Sequence, residues 1–174
     1  MAARSAGQGG PHRRRARPLS RSEIMARIRS KDTKPEWRVR RALWAMGVRY
    51  RLHDPRLPGR PDIVLPRSRQ VIFVHGCFWH GHEGCPRHRI PKTNSMWWEQ
   101  KIRANRARDA RVTEAVRAAG WAVTIIWECE TESPEALAQA LANVARIAFA
   151  CNPGKGAPDR GASSHPPPDL RPLS

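Results

Sequence analysis

The pattern of apolar and polar positions predicts an α/β fold between residues 20 and 151. Apolar residues recur at helical spacing in four segments, and apolar or alternating runs of strand length occur in four others. In chain order these are helices at 22–29 and 33–47, strands at 48–52, 61–65 and 71–75, a helix at 94–120, a strand at 121–127 and a helix at 133–149. This order favours a mixed β-sheet with helices packed on its faces.

Two strand predictions bear on the topology. The strands at 61–65 and 71–75 are separated by a short turn beginning at Pro66, so they are predicted to be antiparallel neighbours with Asp62 near His75. The run WAVTIIW at 121–127 is apolar almost throughout. Such a run is typical of a central strand covered on both faces.

The apolar stripe of the long helix is interrupted by two polar residues, Asn105 and Asp109. Its apolar members are Trp98, Ile102, Val112, Val116 and Ala119. A polar side chain in a core-facing stripe destabilises the fold unless it is hydrogen-bonded, so both residues are predicted to have partners. The alternative is that the stripe drifts around the helix and that both residues face water.

Composition places a single folded domain at 20–151. Residues 1–19 are expected to form a disordered basic arm and residues 152–174 a disordered tail rich in Pro, Gly and Ser, because neither segment can bury enough apolar surface to offset its ordering entropy.

The formal net charge of +17 predicts a polyanionic partner, and nucleic acid is the leading one. No apolar segment approaches the ~20 residues of a membrane span, and the N-terminus lacks a secretory signal, so the protein is expected in the cytoplasm.

Soft metal ligands are concentrated after the strand at 71–75. Cys77, His82 and Cys85 lie within nine residues, and Cys129 follows the apolar strand at 121–127. Four such ligands would form a closed, structural zinc site. His80 and His88 are rival ligands that spacing does not exclude, and the alternative without metal is a set of buried thiols with a surface histidine. Cys151 is interpreted as a free thiol.

A second candidate site involves oxygen and imidazole ligands. Asp62 begins a strand in a basic neighbourhood, where its carboxylate could hold Mg²⁺ with His75 or His80 within reach of water. The simpler interpretation is a strand-end cap or an ion pair with Arg60. Glu36 is likewise interpreted first as the reciprocal partner of Thr33 in a capping box, although it lies at the edge of the inward face of its helix.

Aromatic and apolar residues stand among these polar groups. Phe78 and Trp79 lie between metal-binding and basic residues, and such side chains can act as wedges between DNA base steps. Trp98 lies on the apolar stripe, where core packing is the default. Met25 and Ile28, between arginines, are candidates for the same wedge role.

Four motifs taken together resemble one known family. LPGRPD, VIFVHGCFWHGHEGC, the WW pair followed shortly by KIRANRARD, and GWAVTIIWEC resemble, in this order, the very short patch repair endonucleases. The resemblance implies a type II restriction endonuclease-like fold and Mg²⁺-dependent nicking of one strand beside a T:G mismatch left by deamination of 5-methylcytosine. It implies as partners double-stranded DNA and other repair proteins, with the enzyme acting as a monomer at the nucleoid.

The resemblance also implies residue roles. Asp62 would be the principal Mg²⁺ ligand together with the backbone carbonyl of Val74, and Glu36 would act through water as an outer ligand. His75 and His80 would position or deprotonate the attacking water. The implied zinc ligands are Cys77, His82, Cys85 and Cys129, and the implied DNA wedges are Met25, Ile28, Phe78, Trp79 and Trp98.

This chain departs from the family pattern at two places. Val74 replaces a usual Thr, which matters little for a backbone ligand, and the segment from His80 to Cys85 lacks the expected run of histidines. Two rival functions remain open from the sequence. One is a restriction-type nuclease of related fold that cuts matched DNA, and the other is a zinc-stabilised DNA-binding protein without catalysis.

Overall fold

The computed structural model describes residues 31–151, which contain a four-stranded mixed sheet and three α-helices. The helices are α1 (Lys34–Ala45), α2 (Ser95–Ala118) and α3 (Pro134–Ala150), and the strands are β1 (Arg51–Leu52), β2 (Ile63–Leu65), β3 (Gln70–His75) and β4 (Ala122–Trp127). The sheet order is β1-β2-β3-β4, antiparallel from β1 to β3 and parallel between β3 and β4. The predicted antiparallel pairing of β2 and β3 is confirmed. The predicted helix at 22–29, with Met25 and Ile28, and both predicted tails lie outside the described residues.

Local sequence signals explain where the helices begin and end. Thr33 and Glu36 form the predicted capping box at the start of α1, and the Ser133 hydroxyl accepts a hydrogen bond from the Ala136 N–H at 3.1 Å at the start of α3. The chain leaves α2 through Gly120, whose φ of +79° favours glycine. In the part of the chain that the structure describes, no helix has the length and apolar character needed to cross a membrane.

Helices cover the two faces of the sheet unequally. One face packs against α1 and α3 in a core that includes Leu43, Ile72 and Leu141, each fully buried. The other face packs against α2 in a smaller cluster that includes Val71 and Val116. This arrangement confirms the predicted mixed sheet with flanking helices and leaves the carboxyl ends of β3 and β4 side by side.

Three details of the prediction were wrong. β4 is an edge strand that pairs with β3 alone among the described residues, and its Ile125 is 38% exposed. A continuous apolar run indicates that both faces of a strand are partly covered, but it does not indicate whether a second strand pairs with its other edge. β1 is only two residues long, and Ala119 is exposed because α2 ends one residue before it.

Candidate active site and metal centre

Two histidines stack on each other where β3 ends. His75 is the last residue of β3, and the turn that follows at Gly76 returns His80 to it, with a backbone hydrogen bond of 3.1 Å from the His80 N–H to the Gly76 carbonyl. The ring centroids are 3.9 Å apart and the planes are inclined by 13°. Burial, and after it the charge of the neighbouring His80, lower the pKa of His75 to about 4. His75 is therefore a neutral imidazole at physiological pH.

Asp109 on α2 fixes the orientation of His80. The His80 Nδ1–H donates to the Asp109 carboxylate at 2.6 Å, because an ionised carboxylate can only accept. Burial is the largest single influence on Asp109 and opposes its ionisation, but the hydrogen bond and charge of His80, together with the hydrogen bond from Arg108, outweigh it and lower the pKa of the carboxyl group. His75, His80 and Asp109 together place ligand atoms within 4.8 Å of one another. This geometry leaves Nε2 of His80 as the ring nitrogen available for proton transfer.

The predicted partner of Asn105 is also present. Its side-chain amide donates to the Trp79 carbonyl at 2.9 Å, so it holds the loop that carries the aromatic residues against α2. The prediction that both polar residues of the stripe are hydrogen-bonded is confirmed. The alternative, in which both face water, is wrong because each is only partly exposed and each has a partner in the loop after β3.

Asp62 lies just before β2 and contacts the strand that ends in His75. Its carboxylate accepts a hydrogen bond from the Val74 N–H at 2.8 Å. Within residues 31–151 no ion pair joins it to Arg60, so the ion-pair alternative is not supported. Burial raises the pKa of Asp62, the hydrogen bond from the Val74 N–H partly offsets this, and the charge of Glu36 raises it again, so that the net pKa is about 6. A carboxylate in this state is stabilised by a nearby cation, which fits a hard divalent metal.

Capping hydrogen bonds and an ion pair hold the Glu36 side chain in place. The predicted capping box is confirmed, with hydrogen bonds of 3.4 Å between Thr33 and Glu36 in both directions. The same carboxylate pairs with the buried Arg40 at 2.7 Å, and Arg40 also pairs with Asp32 at 2.6 Å and lies 3.2 Å from a ring nitrogen of His53. Glu36 is 3% exposed. Arg40 pairs with the Glu36 carboxylate, and the role of Glu36 as an outer metal ligand stays a prediction.

The raised pKa of Asp62 leads to a prediction about stability. Between the ordinary pKa of 3.8 and the folded pKa of about 6, the folded protein retains a proton that the unfolded chain has lost, so ionised Asp62 destabilises the fold as pH rises through 6. Without added divalent metal, we expect Asp62→Asn to be more stable than wild type at pH 7.5 by about 2 to 3 kcal/mol. Urea unfolding at matched pH measures the difference.

The pH dependence provides the control for this stability prediction. The advantage of Asp62→Asn is expected to fall to roughly half at pH 5, because folded Asp62 is then mostly protonated and only ionisation of the unfolded chain still favours unfolding of the wild type. Any effect of pH on the thiols is common to both proteins and cancels in the difference. The prediction would be contradicted by a stability difference that did not change with pH, or by an Asp62→Asn protein less stable than wild type at pH 7.5. Either result would show that ionisation of Asp62 does not destabilise the fold.

Three cysteines and one histidine converge beside the histidine pair. The ligand atoms of Cys77, His82, Cys85 and Cys129 all lie within 4.8 Å of one another. Nδ1 of His82 is 3.5 Å from Sγ of Cys77 and 3.4 Å from Sγ of Cys129. We call these four residues the thiol cluster. The rivals left open by spacing lie elsewhere, since His80 pairs with Asp109 and His88 is not among the converging ligands.

The donor set of the thiol cluster fits a closed tetrahedral metal site. Zn–S bonds of about 2.3 Å and Zn–N bonds of about 2.0 Å place neighbouring ligand atoms roughly 3.5 to 4 Å apart, close to the separations seen here. Burial raises the pKa of the Cys77 thiol to about 12, so its thiolate form requires a cation beside it. The arrangement can therefore hold a soft metal ion with four protein ligands.

Trp127 connects the thiol cluster to the histidine pair. It is the last residue of β4 and is in register with His75 at the end of β3. Its ring stacks on His82 with centroids 4.1 Å apart and meets His75 edge-on at 5.5 Å. Sequence reasoning missed this residue, together with Arg40. The available signal was that two parallel strands end at the same edge, so the last residues of both strands belong to one site.

The predicted DNA-wedge residues form an aromatic cluster. The Phe78, Trp79 and Trp98 ring centroids lie 5.2 to 5.9 Å apart in edge contacts. Trp98 is 6% exposed, as expected for core packing, while Phe78 and Trp79 are half-buried. Trp97, beside them at the start of α2, is 54% exposed. The wedge role of the three clustered residues stays a prediction, and it requires Trp98 to become accessible when DNA binds.

A helix-flanked mixed sheet, with a carboxylate and two histidines beside one strand end, is consistent with the α/β nuclease class. Comparison with known proteins agrees. The sequence model of the family described as DNA mismatch endonuclease Vsr matches residues 16–86. The chain is 49% identical over 130 residues to the type II nicking enzyme V.XorIIP of Xanthomonas oryzae pv. oryzae, covering 75% of this chain and 95% of that protein.

A second relative supports the same assignment. The chain is 42% identical over 118 residues to the DNA mismatch endonuclease Vsr of Escherichia coli, covering 68% of this chain and 75% of that protein. The chain belongs to the Vsr family of DNA endonucleases. The resemblance identified from its motifs is therefore confirmed.

Proposed function

We propose that this protein is a Mg²⁺-dependent endonuclease that nicks one strand of duplex DNA beside a T:G mismatch, the product of 5-methylcytosine deamination. The observation that carries the proposal is the grouping of Asp62, His75, His80 and Asp109 around the end of β3. Membership of the Vsr family supports the choice of DNA as substrate. The net charge of +17 supplies the salt-dependent attraction to its phosphates.

Asp62 and the backbone carbonyl of Val74 would hold Mg²⁺, with Glu36 behind them. The carboxylate is already adjacent to Val74 through its 2.8 Å hydrogen bond. When bound, the ion polarises the phosphodiester and stabilises developing negative charge. The raised pKa of Asp62 without metal supports this assignment, because a cation there would restore the ionised form.

We assign proton transfer to His80. Asp109 accepts from Nδ1 of His80, so Nε2 is the nitrogen that can remove a proton from the attacking water. His75 stacks against the ring and remains neutral, so it limits the freedom of His80 without competing for the same charge. A histidine oriented by a carboxylate is a common arrangement for a general base.

Zinc in the thiol cluster would have a structural role. Four protein ligands leave no open position for substrate, and the loop from Gly76 to Cys85 has few apolar residues to hold its shape. Binding free energy at such a site contributes directly to folding. The zinc would therefore fix the loop that carries His80 and the aromatic cluster.

A comparison of three duplexes tests the proposal. We expect wild-type protein with Mg²⁺ to nick only the T-containing strand of a T:G duplex and to leave the T:A and C:G versions of the same sequence intact. Equal cleavage of both strands in matched duplexes would favour the restriction-type alternative. Binding without cleavage under Mg²⁺ or Mn²⁺ would favour the non-catalytic alternative. The mismatch is placed in a pool of randomised neighbouring bases, so that the result does not depend on any preference for flanking sequence.

Trp79→Ala tests mismatch sensing. Stacking of a base on an aromatic ring contributes about 1 to 3 kcal/mol, so we expect the preference for T:G over T:A to fall about tenfold while affinity for matched DNA changes less than about threefold. Fluorescence anisotropy with both duplexes measures the two effects. The control is Trp44→Ala on α1, a tryptophan whose ring packs under Arg49 at 3.7 Å. A preference unchanged in Trp79→Ala would contradict the wedge role.

A further inference from the structure

Arg108 is an exposed cation that contacts, from outside, the cluster formed by His75, His80 and Asp109. Its Nη2 donates to one carboxylate oxygen of Asp109 at 3.1 Å, while the other oxygen accepts from His80 at 2.6 Å. The Arg108 side chain is 57% exposed, whereas that of Asp109 is 17% exposed. A ligand in solution can therefore reach the guanidinium without any movement of His80 or Asp109.

The charge balance around this cluster favours an anionic ligand for Arg108. Arg40, whose charge acts on Asp62, is 1% exposed and already pairs with Asp32 and Glu36, so it is not accessible to a ligand. Arg108 has only the Asp109 carboxylate beside it, and the other oxygen of that carboxylate already accepts from His80. A phosphodiester is negatively charged, and its charge shifts onto the non-bridging and leaving oxygens as it is cleaved. A guanidinium can donate two parallel hydrogen bonds to such oxygens.

We propose that Arg108 binds the non-bridging oxygens of the cleaved phosphate or of the phosphate immediately next to it. The proposal deepens the function proposed above and depends on it, since it places the scissile region of the DNA against His80. Arg108 is then a specific phosphate contact of the active site. The other exposed arginines of α2 contribute only to general attraction.

A combination of protein variants and neutral phosphates tests this contact. In the substrate, one phosphate at a time is replaced by an uncharged methylphosphonate at the cleaved position and at two positions on either side. Single-turnover nicking is measured for the flanking positions, and equilibrium binding is measured for the cleaved one. With unmodified DNA, we expect Arg108→Ala to lower the nicking rate and the binding affinity each about 10- to 100-fold, which is the range for a hydrogen bond to a charged group.

Loss of additivity identifies the contacted phosphate. With wild-type protein, neutralising that phosphate is expected to produce a decrease similar to that of Arg108→Ala. In Arg108→Ala the same modification is expected to change the result less than about threefold, because the partner is already missing. Arg103→Ala and Arg111→Ala are matched controls, since both are exposed arginines of α2 without an ion pair within the described residues. In both, the full decrease caused by the methylphosphonate should remain.

Two outcomes would overturn the proposal. If every methylphosphonate decrease is as large in Arg108→Ala as in wild type, Arg108 contacts none of the tested phosphates. The second outcome combines two results: Arg108→Ala shifts the pH profile of nicking, and adding it to Asp109→Asn causes no further loss of nicking. Together they would show that Arg108 only orients Asp109. A wild-type protein that fails to nick the T:G duplex contradicts the proposed function itself, so the two failures are distinguishable.

Discussion

We expect Asp62→Asn to lower the nicking rate on a T:G duplex at least about 1,000-fold while DNA binding is kept. A catalytic metal contributes several kcal/mol to transition-state stabilisation, and each 1.36 kcal/mol corresponds to a factor of ten in rate. Asn retains an oxygen that accepts the Val74 N–H, so the contact between the start of β2 and the end of β3 should keep its geometry. Single-turnover nicking and fluorescence anisotropy measure the two quantities.

Stability separates this result from simple misfolding. The same substitution is expected to stabilise the protein without divalent metal at neutral pH, so a variant that is inactive and more stable identifies Asp62 as a residue kept for function at the expense of stability. Asp54→Asn is the matched control, because Asp54 is a buried aspartate of the loop before β2 that pairs with Arg56. We expect it to retain nicking. Substantial nicking by Asp62→Asn would remove Asp62 from the catalytic role.

Cys129→Ser should produce the largest loss of stability. Apparent binding free energies of structural zinc sites are about 10 to 16 kcal/mol, whereas whole domains are stable by about 5 to 15 kcal/mol. Weakening the site by one of four ligands can therefore unfold the loop and much of the domain. We expect wild-type protein to contain about one zinc per chain by elemental analysis, and Cys129→Ser to lose the metal and most of the cooperative thermal transition.

Cys151→Ser is the control for the zinc prediction. Cys151 is exposed and lies outside the thiol cluster, so its replacement removes a thiol without removing a ligand. Its zinc content and thermal transition should match those of wild type. Full zinc content in Cys129→Ser, or in Cys77→Ser, would contradict the ligand set. Replacing His88 then becomes the next test, since it is the nearby histidine that the thiol cluster does not use.

The sequence predicted the features that depend on neighbouring residues. The capping box of Thr33 and Glu36 follows from a spacing of three residues, and the structure confirms it. The need of Asn105 and Asp109 for partners followed from their positions on one helix face. These predictions succeed because their physical cause, helical periodicity or the burial of a polar group, can be seen within a single element.

Contacts between distant residues required the structure. Helical periodicity indicated that Asp109 needs a partner, but it did not identify His80, because the turn after β3 determines which side chain faces α2. The pairing of Arg40 with both Asp32 and Glu36 was equally hidden, since one buried guanidinium joins the residue before the cap to the first turn of the helix. The edge position of β4 depends on what pairs with it, which its own composition does not encode.

The thiol cluster also has a consequence for protein synthesis. His82 and Cys129 are separated by 47 positions, and Trp127, which stacks on His82, leaves the ribosome almost as late. A nascent chain that has not yet reached β4 has neither Cys129 of the thiol cluster nor the Trp127 ring that stacks on His82. If the thiol cluster holds zinc as proposed, His80 would acquire its final position only after β4 has been synthesised. Incomplete or prematurely terminated chains would then lack the cleavage activity proposed for the finished protein.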